Sequence, residues 1–145
     1  MPTTPQLTFT WLKLEPAKDA DLARTQAVKL IPSTSFTRGE ILGEIGTTGV
    51  YAKFNPAAND GTQIPKCIIV YTVTTDASGV PSSNNTYPYP TFPDIAVPAY
   101  YRGTFDCALV TAAMGDAGTL LNAAIAAGFG HFAEGDATIG TFTLD

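Results

Sequence analysis

A mostly β (α+β) fold, a small barrel-like sheet with one helix and an extended N-terminal arm, is what this sequence predicts. Three observations carry it. Residues 36–73 hold three short apolar, β-rich segments (41–45, 50–54 and 67–73) cut apart by turn residues. Only one stretch, after Gly115-Asp116, has convincing helical spacing. The first 35 residues lack that punctuated pattern and contain an alternating apolar run near the terminus.

Within the central stretch, Gly46-Thr47-Thr48-Gly49 is short and glycine-bounded, which suits a hairpin connection. Asn55-Pro56 and Asn59-Asp60-Gly61 are stronger punctuation, since proline presets φ while Asn, Asp and Gly tolerate sharp turns. Cys67-Ile68-Ile69-Val70-Tyr71 is apolar at both alternating sets of positions and reads as a central strand buried on both faces. Asp76-Ala77-Ser78-Gly79 is a further turn.

Two flanking segments differ. Leu7-Thr8-Phe9-Thr10-Trp11 alternates apolar and polar, as an extended strand with one sticky face does. Residues 15–30 are mixed and polar, with helical spacing at Ala20, Ala23, Ala27 and Leu30 but no apolar stripe, and Ile31-Pro32-Ser33 closes them. The division is therefore an arm and linker at 1–35 and a β-rich domain at 36–145. Pro81 to Pro98 carries the aromatics Tyr87, Tyr89 and Phe92 among prolines, and reads as an extended surface loop because proline has no N–H for a ladder. Ala99 to Thr111 returns to strand character. Asp116 is placed to cap a helix with Leu120, Leu121, Ala124 and Ile125 on its apolar side, ended by Gly128 or Gly130. Residues 138–144 alternate again, as a strand closing a sheet edge.

The central pattern, GEILGEIGTTGVYAKFNPAANDGTQIPKCIIV, followed by YYRGTFDCALV, resembles the head decoration proteins of tailed bacteriophages, the lambda gpD-like family. The aromatic-Asn-Pro-Ala-Ala-Asn-Asp-Gly-Thr run at 54–62 is the most specific part, and the likeness spans roughly 36–75 and 99–130. It implies a β-tulip-like domain and a non-enzymatic homotrimer seated on the outside of the capsid. It implies the major capsid protein as partner, the virion surface as location after synthesis in the host cytoplasm, and an arm that orders against the shell. On that reading Leu7, Phe9, Trp11 and Leu14 are the capsid-binding side chains. The loop at 81–98 departs from the family pattern.

Composition and chemistry agree with a structural role. Charged residues are 14% and hydrophobic ones 45%, a low charge density that fits surface hidden in an assembly. The net charge is −5, and residues 103–145 contain no Lys or Arg, so a nucleic-acid partner is not expected. No signal peptide is visible after Met1, and no run approaches the roughly 18 apolar residues of a membrane span. No metal and no cofactor are expected. His131 is the single histidine and reads as partly buried or as a helix C-terminal cap, without a second imidazole to share a metal. Cys67 and Cys107 read as buried free thiols lacking turn or helix-start context. Asp60, Asp76 and Asp94 read as turn residues, Asp106 as a strand position and Asp116 as a cap, not as a catalytic pair. The competing reading is a virion-surface carbohydrate- or host-binding module, resting on the aromatic cluster Tyr87, Tyr89, Phe92, Tyr100 and Tyr101.

Overall fold

The computed structural model describes residues 24–83, 96–137 and 139–144. Among these residues ten strands and two helices follow one another: β1 (Arg24–Leu30), β2 (Ser35–Phe36), β3 (Ile41–Glu44), β4 (Val50–Lys53), β5 (Cys67–Ile69), β6 (Val73–Thr75), β7 (Pro81–Ser83), β8 (Val97–Asp106), α1 (Cys107–Met114), α2 (Thr119–Ala126), β9 (His131–Asp136) and β10 (Ile139–Leu144). The mostly β expectation holds.

The main sheet runs β1-β4-β3-β5-β8-β10-β9, and β1 also pairs with β8. β1 is parallel to β4 at Lys29 and Leu30, and antiparallel to β8 over Arg24–Val28. Strands β1, β4, β3, β5 and β8 therefore close into a small ring, which gives the barrel. Beyond the ring β8 continues, and its far half pairs with β10, from Gly103 opposite Leu144 to Asp106 opposite Thr141.

Strand alternation divides the interior in two. Val28, Leu30, Leu42, Cys67, Ile69, Val97 and Ala99 pack together inside the ring with Phe36 and Val73. Ile41, Ile68 and Tyr100, their neighbours in sequence, turn outward against Val110, Leu121, Ala124, Phe105 and Phe142. β5 lies fourth of the seven strands, and all three of its residues are fully buried, as the doubly apolar run predicts. The strand is shorter than its apolar run. It stops at Ile69, and the chain crosses to a second sheet, β2-β6-β7, at Val73.

That second sheet is tied to the end of β1 through Thr75. Its hydroxyl donates to the Ile31 carbonyl (2.7 Å) and accepts from Thr34 N–H (3.0 Å), while the Ser33 N–H donates to the Asp76 carbonyl (2.9 Å). The Asp76–Gly79 turn joins β6 to β7 as expected, with the Asp76 carboxylate accepting from Ser78 and Val80 N–H.

Residues 46–49 are the β3–β4 hairpin turn, closed by Ile45 N–H to the Val50 carbonyl (2.8 Å). Residues 55–66 fold back over it. Gly46 N–H donates to the Asp60 carbonyl (2.8 Å), and the Asp60 carboxylate accepts from Thr62 N–H (3.0 Å) and hydroxyl (2.6 Å). Those bonds hold the Asp60 carboxyl below its usual pKa. Gly61, at φ 112°, passes so near the hairpin that a Cβ would overlap the Glu44 carbonyl oxygen and stand 2.7 Å from Gly46 N.

Four expectations are corrected. The sheet begins by Arg24, inside the segment read as arm and linker. Residues 24–27 of β1 are all exposed and are held by pairing with β8, while Val28 and Leu30 alternate into the ring. The helical spacing at Ala20–Leu30 therefore gives way to a strand over 24–30. The strand expected over 99–111 ends at Asp106, whose carboxylate accepts from Leu109 N–H (3.1 Å) and starts α1. Cys107, Val110 and Thr111 are the buried face of that helix, an i, i+3, i+4 spacing. Among the described residues there are thus two helices, bent by 112° where they meet. Pro81 and Pro98, read as the ends of one loop, both lie in strands. Pro81 is on β7, which pairs only with β6 among the described residues, and the Pro98 carbonyl accepts from Val70 N–H. The second helix lies where it is predicted, but its N-cap is Gly118: the Asp116 carboxylate accepts from Gly118 and Leu120 N–H from two residues ahead of the cap, Leu121 and Ala124 are buried, and Gly128 follows the helix end.

Candidate functional site

No reactive constellation emerges from the described side chains. His131 is exposed, not partly buried, and opens β9 opposite Thr143. Among the described residues no group of three or more His, Cys, Asp or Glu could hold a metal ion. No single helix there is long and apolar enough to cross a membrane.

Both cysteines are free and buried, Cys67 inside the ring and Cys107 in the helix layer. Cys107 does occupy a helix start, contrary to the sequence reading. A helix N-terminus favours thiolate, but here burial wins, reinforced by the Asp106 and Asp136 carboxylates, and pushes the thiol up to about 11. Burial pushes Cys67 up to about 12. Unfolded thiols ionise near pH ~8.5, so between there and pH 11–12 the unfolded chain releases protons that the folded one keeps. These thiols leave stability unchanged below ~8.5 and lower it as pH rises above. The expected result is falling thermal stability from pH 8 to 10, removed in Cys67→Ala/Cys107→Ala by comparison of slopes. A thiol-specific chromogenic reagent at pH 8 should titrate both cysteines only after denaturation; prompt reaction of the folded protein would contradict their burial.

What the structure positions is a pair of attachment points. The proposed docking residues Leu7, Phe9, Trp11 and Leu14 lie outside the described residues, as do Tyr87, Tyr89 and Phe92. Their roots are described. The first segment joins the sheet at Arg24, in register with Arg102 on β8. The second segment, 84–95, follows β7 at Ser83 and precedes β8, where Val97 is in register with Val28. Arg24 and Val28 are four residues apart, so the two roots stand roughly 13 Å apart at opposite ends of one strand pair. The C-terminal strand arrives beside the first root, with Leu144 opposite Gly103.

The β1–β8 register is broken at that root. Arg24 faces Arg102 and Thr25 faces Tyr100, so Tyr101 is an extra residue, a β-bulge. Val97 and Ala99 point into the ring, and regular alternation would send Tyr101 after them. The bulge instead leaves Tyr101 43% exposed, with Arg102 exposed next to it. It also explains why Tyr100 and Phe105, an odd number of residues apart, share the outer core with their rings 5.2 Å apart.

Residues 15–82 match the family model described as Bacteriophage lambda head decoration protein D. This stretch is similar to the lambda-type head decoration proteins. The match begins ahead of β1 and ends within β7, so the matched segment supplies four of the five ring strands and all of the second sheet but its last residue. It covers the first of the two regions in which the resemblance was read. The second, 99–130, lies outside it, where β8, α1 and α2 complete the fold. No curated protein and no solved structure matches the chain.

Proposed function

We propose that this is a non-enzymatic capsid decoration protein, which binds the outside of the major capsid protein shell as a trimer and stabilises the head. The observation that carries the reading is the decoration-family match over residues 15–82. Its first nine matched residues lie in the segment leading into β1. Made in the host cytoplasm and carried on the virion surface, such a protein needs neither metal nor cofactor nor nucleic acid. Its work is to add contact area between neighbouring capsomers.

The docking element is the N-terminal segment, with Leu7, Phe9, Trp11 and Leu14 presenting apolar side chains and the backbone adding a strand to an exposed edge of the shell protein. Burial of Phe9 and Trp11 contributes on the order of a few kcal/mol, at ~25 cal/mol per Å² of apolar surface. The test is deletion of residues 1–14, followed by co-sedimentation with heads that lack the protein. The truncated chain should remain folded and keep its oligomeric state by light scattering, yet fail to sediment with heads. Unfolding would place the segment in the domain's own core, and normal sedimentation would refute arm docking.

A second reading, a virion-surface carbohydrate- or host-binding module, has one observation in its favour. The segment carrying Tyr87, Tyr89 and Phe92 leads into β8 at Val97, at the opposite end of the β1–β8 pair from Arg24, which would keep it apart from an arm bound to the shell. A glycan array probed with the assembled particle tests it.

A further inference from the structure

We propose that Met114 is a site of oxidative modification, and that its conversion to the sulfoxide by a peroxide unseats the helix layer from the ring. The inference concerns the fold's own chemistry and stands independently of the decoration reading.

Met114 is the last residue of α1, at the elbow where the chain bends by 112° into α2. Gly115, in the left-handed conformation, ends the helix there, and its N–H donates to the Thr111 and Ala112 carbonyls (3.2 Å each). The Met114 side chain packs against the outer core yet is only partly buried, so a small oxidant can reach it. Its thioether sulfur accepts from the Ile41 N–H at 3.3 Å. Ile41 opens β3 and is fully buried. Its carbonyl accepts from Phe54 N–H (2.9 Å), as in an ordinary ladder, whereas its own N–H goes to the sulfur. This bond ties the end of α1 to a ring strand 73 positions earlier in the chain. A buried backbone donor of the ring thus depends on a weak, soft and oxidisable acceptor.

In the reaction a sulfur lone pair attacks one oxygen of hydrogen peroxide and the O–O bond breaks. The sulfur is oxidised by two electrons, and the second oxygen leaves as water once it has gained a proton. An apolar thioether becomes a polar sulfoxide. If the new oxygen takes the N–H side, it must fit between Ile41 N and the sulfur, which then retreats by roughly 1 Å and lifts the end of α1. If it turns to solvent, the sulfur has lost the lone pair it offered and the buried Ile41 N–H is left unsatisfied. Either way the joint opens. The competing sulfurs are poorer targets, because Cys67 and Cys107 are fully buried and their thiols stay protonated at neutral pH.

Folded protein treated with hydrogen peroxide at pH 7 should gain one oxygen at Met114 by peptide mapping and melt lower by about 5 °C or more. Amide exchange should quicken in α1 and at Ile41 ahead of β1 and β4. Methionine sulfoxide reductases should return mass and melting temperature together. Met114→Leu keeps Met1, Cys67 and Cys107 but lacks the acceptor. It should fold with a small loss of stability, show faster exchange at Ile41, and melt at the same temperature with or without peroxide. Should that variant not fold, norleucine in place of both methionines supplies the same comparison with the cysteines left in place. Three results would overturn the proposal. Met114 could stay unoxidised in the folded protein under treatment that oxidises it in the denatured chain. Oxidised Met114 could leave the melting temperature and the Ile41 amide unchanged. An equal peroxide-induced loss in Met114→Leu would assign the damage to another residue.

Discussion

Gly61→Val should cost about 3–5 kcal/mol of stability, combining backbone strain with overpacking. Two effects act at one position. The φ of 112° is one that a β-branched residue adopts only under strain, and the added side chain would press on the backbone at Glu44 and Gly46. Neither obstacle is a flexible side chain that could move aside. The hairpin turn would have to shift, breaking the Gly46 N–H bond to the Asp60 carbonyl that seats the 55–66 loop. For a chain of this size the melting temperature should fall by roughly 10 °C or more. Gly49→Ala is the matched comparison, because Gly49 also has positive φ (77°) but open space where the Cβ would go. It should cost only about 1–2 kcal/mol. Equal melting temperatures for the two variants would refute the close approach at Gly61.

Phe105→Ala should be comparably damaging, at about 3–5 kcal/mol. Phe105 is fully buried, and its ring lies 5.2 Å from Tyr100 and 5.7 Å from Phe142. It stands on β8 where that strand leaves the ring and takes β10 as partner, so it links ring, hairpin and helices. Truncation leaves a cavity that rigid strands on either side cannot collapse to fill. Thermal melts should show the loss, and amide exchange should show β9–β10 opening before the ring strands. A loss under about 1 kcal/mol would mean that the outer core is not continuous through this ring. Phe105→Leu, which keeps most of the volume, should fall between wild type and Phe105→Ala.

The two halves of the fold were not equally legible in the sequence. Strands β3, β4 and β5 were readable because each is a short apolar run bounded by residues with a local reason to turn: Gly46 and Gly49 at the hairpin, Asn55-Pro56 and Gly61 in the folded-back loop. α2 was readable for the same kind of reason, with Asp116 accepting from Leu120 N–H at its start and its stripe of Leu121 and Ala124. α1 was misread although the signal existed. Asp106 can cap, and Cys107, Val110 and Thr111 repeat at helical spacing, but the apolar positions Tyr101, Phe105 and Leu109 read as a continuing strand. The cysteine context was misread with it.

By itself, then, the sequence determined the mostly β class, the turns, a doubly buried central strand and the likeness to the decoration family, since each rests on residues close together in the chain. Tertiary structure alone decided that β1 is a strand, that β8 closes the ring, and that Tyr101 faces outward. Residues 24–27 carry no burial pattern, and only pairing with β8 makes them a strand. The bulge likewise exists only as a mismatch between two strands more than seventy positions apart, a register that no local preference encodes.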